Sequence, residues 1–249
     1  MHSKDITENS WSKLFSILRT FPHLHLKNEE LIKRFFDGVC WIWRSGTRWR
    51  NMPKEYGHWN SIYKRFCRWA KKGIWEHIFQ GLIDQPDLEY VMIDATIVKA
   101  HMAAAGYGNQ QEQALGKSRG GFTTKIHVIL DALGYPLKFI VTPGNMSDIK
   151  CAQALTSKLF DTNIVADKGY DSDQFREYLQ SKNCESTIPY RSNRKEQKAY
   201  DKGLYKERNI IERFFARIKQ FRKIATRYDK TMTNFMAGLH VIGTLIWLR

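Results

Sequence analysis

The segment Tyr90 to Val98 (YVMIDATIV) constrains the fold of this chain more than any other. It is a nearly continuous apolar, β-branched run of strand length, as expected for a central strand buried on both faces. An acid, Asp94, stands in the middle of it. A lone carboxylate is expensive to bury. This position therefore calls for a basic partner such as Lys99 or His101, for several backbone donors, or for a cation such as a metal.

The rest of the chain places that strand in an α/β order. Phe122–Leu130 and Leu137–Val141 read as two further strands, joined by a hairpin at Asp131-Ala132-Leu133-Gly134. Asp148–Phe160 reads as helix, Asn163–Asp167 as strand, Ser172–Lys182 as helix and Glu185–Pro189 as strand. Tyr205–Phe221 is a strongly amphipathic helix, and an apolar helix from Phe235 to Leu248 closes the chain. Such an order implies a mixed sheet flanked by helices.

Upstream the pattern is helical. Trp11–Arg19, Asn28–Trp43 and Trp59–Ala70 carry apolar residues at steps of three and four. Gln85-Pro86-Asp87 is the best boundary, giving a helical domain over 1–86 and an α/β domain over 87–249. Six of the eight tryptophans lie between Trp41 and Trp75, interleaved with basic residues that include Arg48 and Arg50. One reading is a small Trp-rich core with solvated edges. The other is a helical DNA-binding unit, and both hold if the rings pack while the arginines face phosphate.

Charge separates these possibilities further. The chain carries 40 Lys and Arg against 25 Asp and Glu, a net charge of +15. Leu31–Lys72 has eleven basic residues against two acids, and Arg191–Lys230 has fourteen against five. Each window is +9, so the remainder is slightly acidic. Two basic windows around a nearly neutral middle favour a polyanionic partner, DNA or RNA. A membrane is the weaker explanation. Met1 to Trp11 is polar without a signal-peptide core, and the apolar tail is too short to span a bilayer. Cysteines 40, 67, 151 and 184 show no metal-type spacing and suggest a reducing cytoplasm.

Two more acids stand where a site would form. Asp167 ends a short strand, where ligands of α/β sheets gather, although Asp is also a common turn residue there. Glu212 lies on the amphipathic helix. At 100° per residue, Tyr205, Arg208 and Lys219 fall within roughly 40° of it and make one polar stripe beside the packed face. The plain alternative is an i,i+4 pair of Arg208 with Glu212. Asp171 reads as a turn or capping acid, and Asp148 as a helix cap and a weaker site candidate. An acid on a central strand, one at a neighbouring strand end and one on a late helix is how an RNase H-like fold builds a two-metal site. The polar stretch Ala103–Gly121 reads as a surface loop whose Lys117 and Arg119 are placed to close on a DNA end.

These residues resemble the DDE transposases of bacterial insertion sequences, in the IS-five branch of the wider IS-four-like group. Tyr205, Arg208, Glu212 and Lys219 match that group's Y-(2)-R-(3)-E-(6)-K motif at every spacing. Asp94 in Ile-Asp-Ala-Thr is similar to the first acid motif, and Asp167 in Ala-Asp-Lys-Gly-Tyr-Asp to the second. Gly116–His127 is similar to the segment leading into the family's second strand, and Gly46–Pro53 to its N-terminal helical domain. The resemblance implies an RNase H-like mixed sheet flanked by helices, preceded by a small all-helical domain. It implies Asp94, Asp167 and Glu212 as catalytic metal ligands for two Mg²⁺ ions, with Mn²⁺ as a substitute. The expected activity is cleavage at the element's ends and transfer of the 3′-OH into target DNA. The expected partner is double-stranded DNA, both terminal inverted repeats and target, met by Arg48, Arg50, Lys117, Arg119, Tyr205, Arg208 and Lys219. A homodimer or higher assembly on DNA in the bacterial cytoplasm, at the nucleoid, completes the expectation. A metal-dependent nuclease of the same fold that never rejoins DNA is the alternative, and a non-enzymatic DNA-binding regulator stands behind it.

Overall fold

A computed structural model describes residues 6–26, 28–194 and 199–249. The start Met1–Asp5 and four residues of the second basic window, 195–198, lie outside the described residues. The chain falls into two compact units. One comprises residues 1–84, 100–109 and 218–249, and the other 85–99 and 110–217.

The helical unit begins with α1 (Glu8–Arg19), α2 (Glu29–Ser45), α3 (Trp59–Lys71) and α4 (Ile74–Leu82). Asn28 is the N-cap of α2, its side chain accepting from the Leu31 backbone N–H, which satisfies one of the helix's free donors. Gly46 ends the same helix at φ 69°, where a Cβ would stand 2.6 Å from the Cβ of Arg222. The core is aromatic: Phe35, Phe36, Trp43, Phe66, Trp75 and Phe79 are almost fully buried. The same unit later receives the short α9 (Arg222–Ala225) and the closing α10 (Met232–Trp247). Gly238 of α10 lets that helix lie directly on the Trp43 ring, since a Cβ there would come within 1.9 Å of it. Among the described residues no helix is long and apolar enough to cross a membrane.

The α/β unit opens with β1 (Tyr90–Ala100), followed by β2 (Gly116–Ser118), β3 (Gly121–Leu130) and β4 (Pro136–Pro143). Then come α5 (Ile149–Leu155), β5 (Asn163–Val165), α6 (Asp173–Gln180), β6 (Glu185–Thr187), α7 (Lys202–Lys206) and α8 (Asn209–Lys219); the two-residue β7 (Thr226–Arg227), beyond α9, falls in the residues of the helical unit. β1 runs antiparallel to β3 and parallel to β5, β5 runs parallel to β6, and both β2 and β4 pair antiparallel with β3. This mixed order, hairpin first and parallel strands after, is RNase H-like. One face packs Val91, Ile93 and Ile164 against Ala152, Leu155, Phe175 and Leu179 of α5 and α6. On the other face Phe139 stacks with Phe214 of α8, centroids 6.3 Å apart.

Three segments differ from expectation. The helix expected over Tyr205–Phe221 is two helices, broken at Glu207–Arg208, where i→i+3 bonds such as Ile210 N–H to Glu207 O (2.8 Å) replace the α pattern. No Gly or Pro marks that break in the sequence. The helix expected over Asp148–Phe160 stops at Leu155. The loop expected over Ala103–Gly121 contains β2, whose pairing with β3 supplies backbone partners that its Gly-Lys-Ser sequence does not announce.

Candidate active site

Strand register brings two of the acids side by side. Met92 on β1 pairs with Val165 on the parallel β5. Asp94 lies two residues beyond Met92 and Asp167 two beyond Val165, so the two acids continue adjacent chains that run about 4.8 Å apart. Asp94 also shares its face with its β3 partner Val128 and, through it, with Phe139. That is the face which Phe214 of α8 covers.

Asp94 is 16% exposed. Its Oδ1 accepts from the Ala95 backbone N–H at 2.7 Å, and its Oδ2 accepts from Arg208 Nη1 at 2.8 Å. Burial pushes its carboxyl up to about 6; Ala95 and Arg208 oppose that shift, while Asp167 and Asp148 add to it. The Asp167 side chain accepts from the Gly169 backbone N–H at 2.8 Å, which caps the short turn Lys168–Tyr170. Tyr170 is fully buried and its hydroxyl has no partner among the described residues. Burial, then the negative field of Asp94, Asp148 and Asp167, raises its pKa.

Glu212 comes to this group through Arg208. The other guanidinium nitrogen of Arg208 bonds Glu212 Oε1, so a single cation joins the strand acid to the helix acid. The break between α7 and α8 is what puts Arg208 at a joint rather than on a helix face. Burial works against its charge, but Asp94, Tyr205 and Glu212 outweigh it and raise its pKa. Glu212 itself is 59% exposed.

The other acids are otherwise engaged. Asp148 binds Lys125 Nζ at 2.7 Å, with His127 Nδ1 at 3.9 Å. Lys125 and His127 pair with Ile97 and Ala95, on the sheet face opposite Asp94. Burial lowers the pKa of His127 to about 4, so it is a neutral core histidine bonded to Thr142 (2.8 Å). Asp171 caps the Lys168–Tyr170 turn and is bonded by Arg176 (3.1 Å), Arg194 (2.8 Å) and the Arg191 backbone N–H (2.9 Å). Burial opposes its charge, yet these donors hold its pKa below the usual carboxylate range.

The predicted DNA contacts are dispersed. Lys117 and Arg119 are exposed on β2 and its turn. Tyr205 lies on α7, its ring 6.0 Å from the Arg208 guanidinium carbon. Lys219 ends α8, exposed, in the segment grouped with the helical unit. Arg48 is exposed, and Arg50 lies over Trp59 at 5.5 Å.

The residues fit a hard divalent cation as donors. Asp94, Asp167 and Glu212 offer only oxygen, which suits Mg²⁺ or Mn²⁺. Asp94 carries an under-compensated, half-buried charge, and the place between it and Glu212 already holds a cationic group. With Arg208 there, no group of three or more His, Cys, Asp or Glu side chains among the described residues is closed around one metal position.

Residues 85–246 match the family described as "Transposase DDE domain". Residues 6–79 match "Putative transposase of IS4/5 family". The chain is 41% identical over 130 residues to the "Putative transposase for insertion sequence element IS6501" of Brucella ovis, covering 51% of this chain and 99% of that protein. It is 28% identical over 119 residues to the corresponding protein for IS402 of Burkholderia cepacia, covering 43% of this chain and 54% of that one. Among solved structures it is similar to piggyBac transposase in a synaptic complex with hairpin DNA, at a TM-score of 0.43 and 12% identity, over 77% of this chain and 48% of that one. The family match spans more than half of the chain and falls on the mixed sheet and its acids; this chain belongs to the DDE transposase family.

Proposed function

We propose that this transposase hydrolyses phosphodiester bonds at the ends of its own insertion sequence and joins the freed 3′-OH to target DNA, with Asp94, Asp167 and Glu212 as its catalytic acids. The observation that supports the reading is the parallel register of β1 and β5, from which the chain runs on to Asp94 and to Asp167, with Arg208 tying Asp94 to Glu212. Asp94, Asp167 and Glu212 would hold two Mg²⁺ ions, or Mn²⁺ in their place. Such ions supply activation of the attacking oxygen and stabilisation of the leaving one.

The chain's own residues do the rest. Asp94 is half-buried and poorly compensated, so the site gains most when positive charge enters it. Arg208 bridges Asp94 and Glu212 in the free protein and moves onto a DNA phosphate as substrate arrives. A planar, always-charged fork suits either partner. Tyr205, Lys219, Lys117 and Arg119 hold the strand being cut through its backbone. Residues 1–86, with Arg48 and Arg50, read the element's end, and residues 87–249 carry the chemistry, their last segment completing the helical unit. The protein works on double-stranded DNA in the bacterial cytoplasm, at the nucleoid, as a homodimer or higher assembly.

The test is incubation of the full chain with a labelled duplex bearing the element's terminal repeat, a target plasmid and Mg²⁺. Both nicked and joined products are expected. Asp94→Asn, Asp167→Asn and Glu212→Gln each reduce both by at least about a thousandfold while DNA affinity stays within about twofold. Nicking without joined product supports the nuclease alternative. Near-normal cleavage by any one variant removes that acid from the site.

A further inference from the structure

A cavity of about 860 Å³ lies entirely within the helical unit. Its walls come from the turn after α2, from α3, from the 101–107 segment and from the chain between α9 and α10. Four cations, Arg48, Lys71, Lys223 and Lys230, line it against one carboxylate, Asp229. Trp49, Tyr107 and Tyr228 add flat aromatic surface, and the two tyrosines are 54% and 45% exposed. Tyr228 is held in place by a stacked His101 at 4.6 Å, whose backbone N–H donates to Arg227 O at 2.8 Å.

The deeper wall is unusual. Lys223 and Asp229 are only 5% and 8% exposed, yet their nearest polar atoms stand 3.6 Å apart, beyond a hydrogen bond. Asp229 Oδ2 has no hydrogen-bond partner among the described residues. A buried acceptor without a hydrogen-bond partner is costly to maintain. That cost is recovered when a group with a donor edge enters.

The combination discriminates among occupants. An acidic peptide would satisfy the cations but meet Asp229 with a like charge. An apolar ligand would leave Asp229 Oδ2 without a hydrogen-bond donor. A nucleotide satisfies all three features: phosphate for the exposed cations, a π-face for the rings, and a base edge with donor and acceptor side by side.

We propose that this cavity takes an unpaired nucleotide of a DNA strand. Arg48, Lys71 and Lys230 hold its phosphates, Tyr228 and Trp49 flank the base, and Lys223 with Asp229 meets the base edge. The inference rests on the reading of the helical unit as DNA-binding and deepens it. The site is composite, so residues 223–234 belong to DNA recognition as much as the N-terminal helices do.

The test uses the full chain and fluorescence anisotropy with two probes, an oligothymidylate of about ten nucleotides and a random duplex of about twenty base pairs. Tyr228→Ala, at an exposed ring, weakens oligothymidylate binding by about tenfold and duplex binding by less than about twofold. Lys223→Met, checked for folding by its thermal melt, does the same. Oligothymidylate binding unchanged in both variants overturns the cavity site, as does equal weakening of both probes. Wild-type chain that binds duplex but not oligothymidylate also overturns the cavity while leaving the DNA-binding reading intact. Failure to bind either probe defeats both.

Discussion

Asp171, buried, and Asp94, half-buried, are two acids in one unit, and their surroundings differ in kind. Asp171 is 4% exposed and is met by two guanidiniums and a backbone N–H. Asp94 is met by one guanidinium and one backbone N–H, with Asp167 and Asp148 adding negative field. Burial opposes ionisation at both, yet the first stays below the usual carboxylate range and the second rises to about 6. A fold that can surround one acid with donors leaves the other short. The shortfall falls on an acid proposed here as catalytic, and a half-buried carboxylate kept under-compensated is one ready to take a cation.

The largest expected effect is at the satisfied acid. Asp171→Ala leaves Arg176 and Arg194 without their shared partner and lowers stability by about 3 kcal/mol in urea unfolding. A loss below about 1 kcal/mol would mean that the arginines find other partners and that the two acids differ less than their bonding suggests.

Asp94→Asn goes the other way. A folded-state pKa raised above the unfolded value means that the native protein binds more protons between about 4 and 6, so wild-type stability falls as pH rises through that window. The amide removes the cost, and the metal-free variant is more stable by about 2 kcal/mol at neutral pH. The gain shrinks as pH falls through about 6 toward 4. Thermal melts at several pH values check it, and a variant less stable than wild type at neutral pH would place Asp94 with Asp171 as a structural acid.

This contrast was only partly legible in the sequence. Asp94 within a buried run and Asp167 at a strand end are local patterns, and so are β1 and the turn at Asp131–Gly134. The arginine partners are not local. Arg208 reaches Asp94 across 114 residues, and Arg194 reaches Asp171 across 23. Neither link has a spacing rule. The break at Glu207–Arg208 was hidden for a related reason: apolar periodicity runs through it, while the pull of Arg208 toward Asp94 is tertiary. Sequence placed Asp171 as a turn acid, which it is, without showing that Arg194 of the second basic window is spent on it. The second basic window is therefore not all available to DNA.

The smallest expected effect follows from that division. Lys117 is exposed, so Lys117→Gln flattens the salt dependence of duplex binding by about one unit of slope across sequences. Arg194→Gln leaves the slope unchanged and lowers stability instead. Equal slopes for wild type and Lys117→Gln would remove that residue from the DNA contacts.

The central claim is that Asp94 is kept short of positive charge because it serves as a metal ligand, with Arg208 standing in for the ion. Mn²⁺ binding to the full chain, followed by the loss of free-ion EPR signal at neutral pH, tests it without any turnover. Asp94→Asn is predicted to weaken Mn²⁺ binding by more than about tenfold, and Arg208→Gln to tighten it, because the competing cation has gone. Unchanged Mn²⁺ affinity in Asp94→Asn, or weakened affinity in Arg208→Gln, would contradict the account.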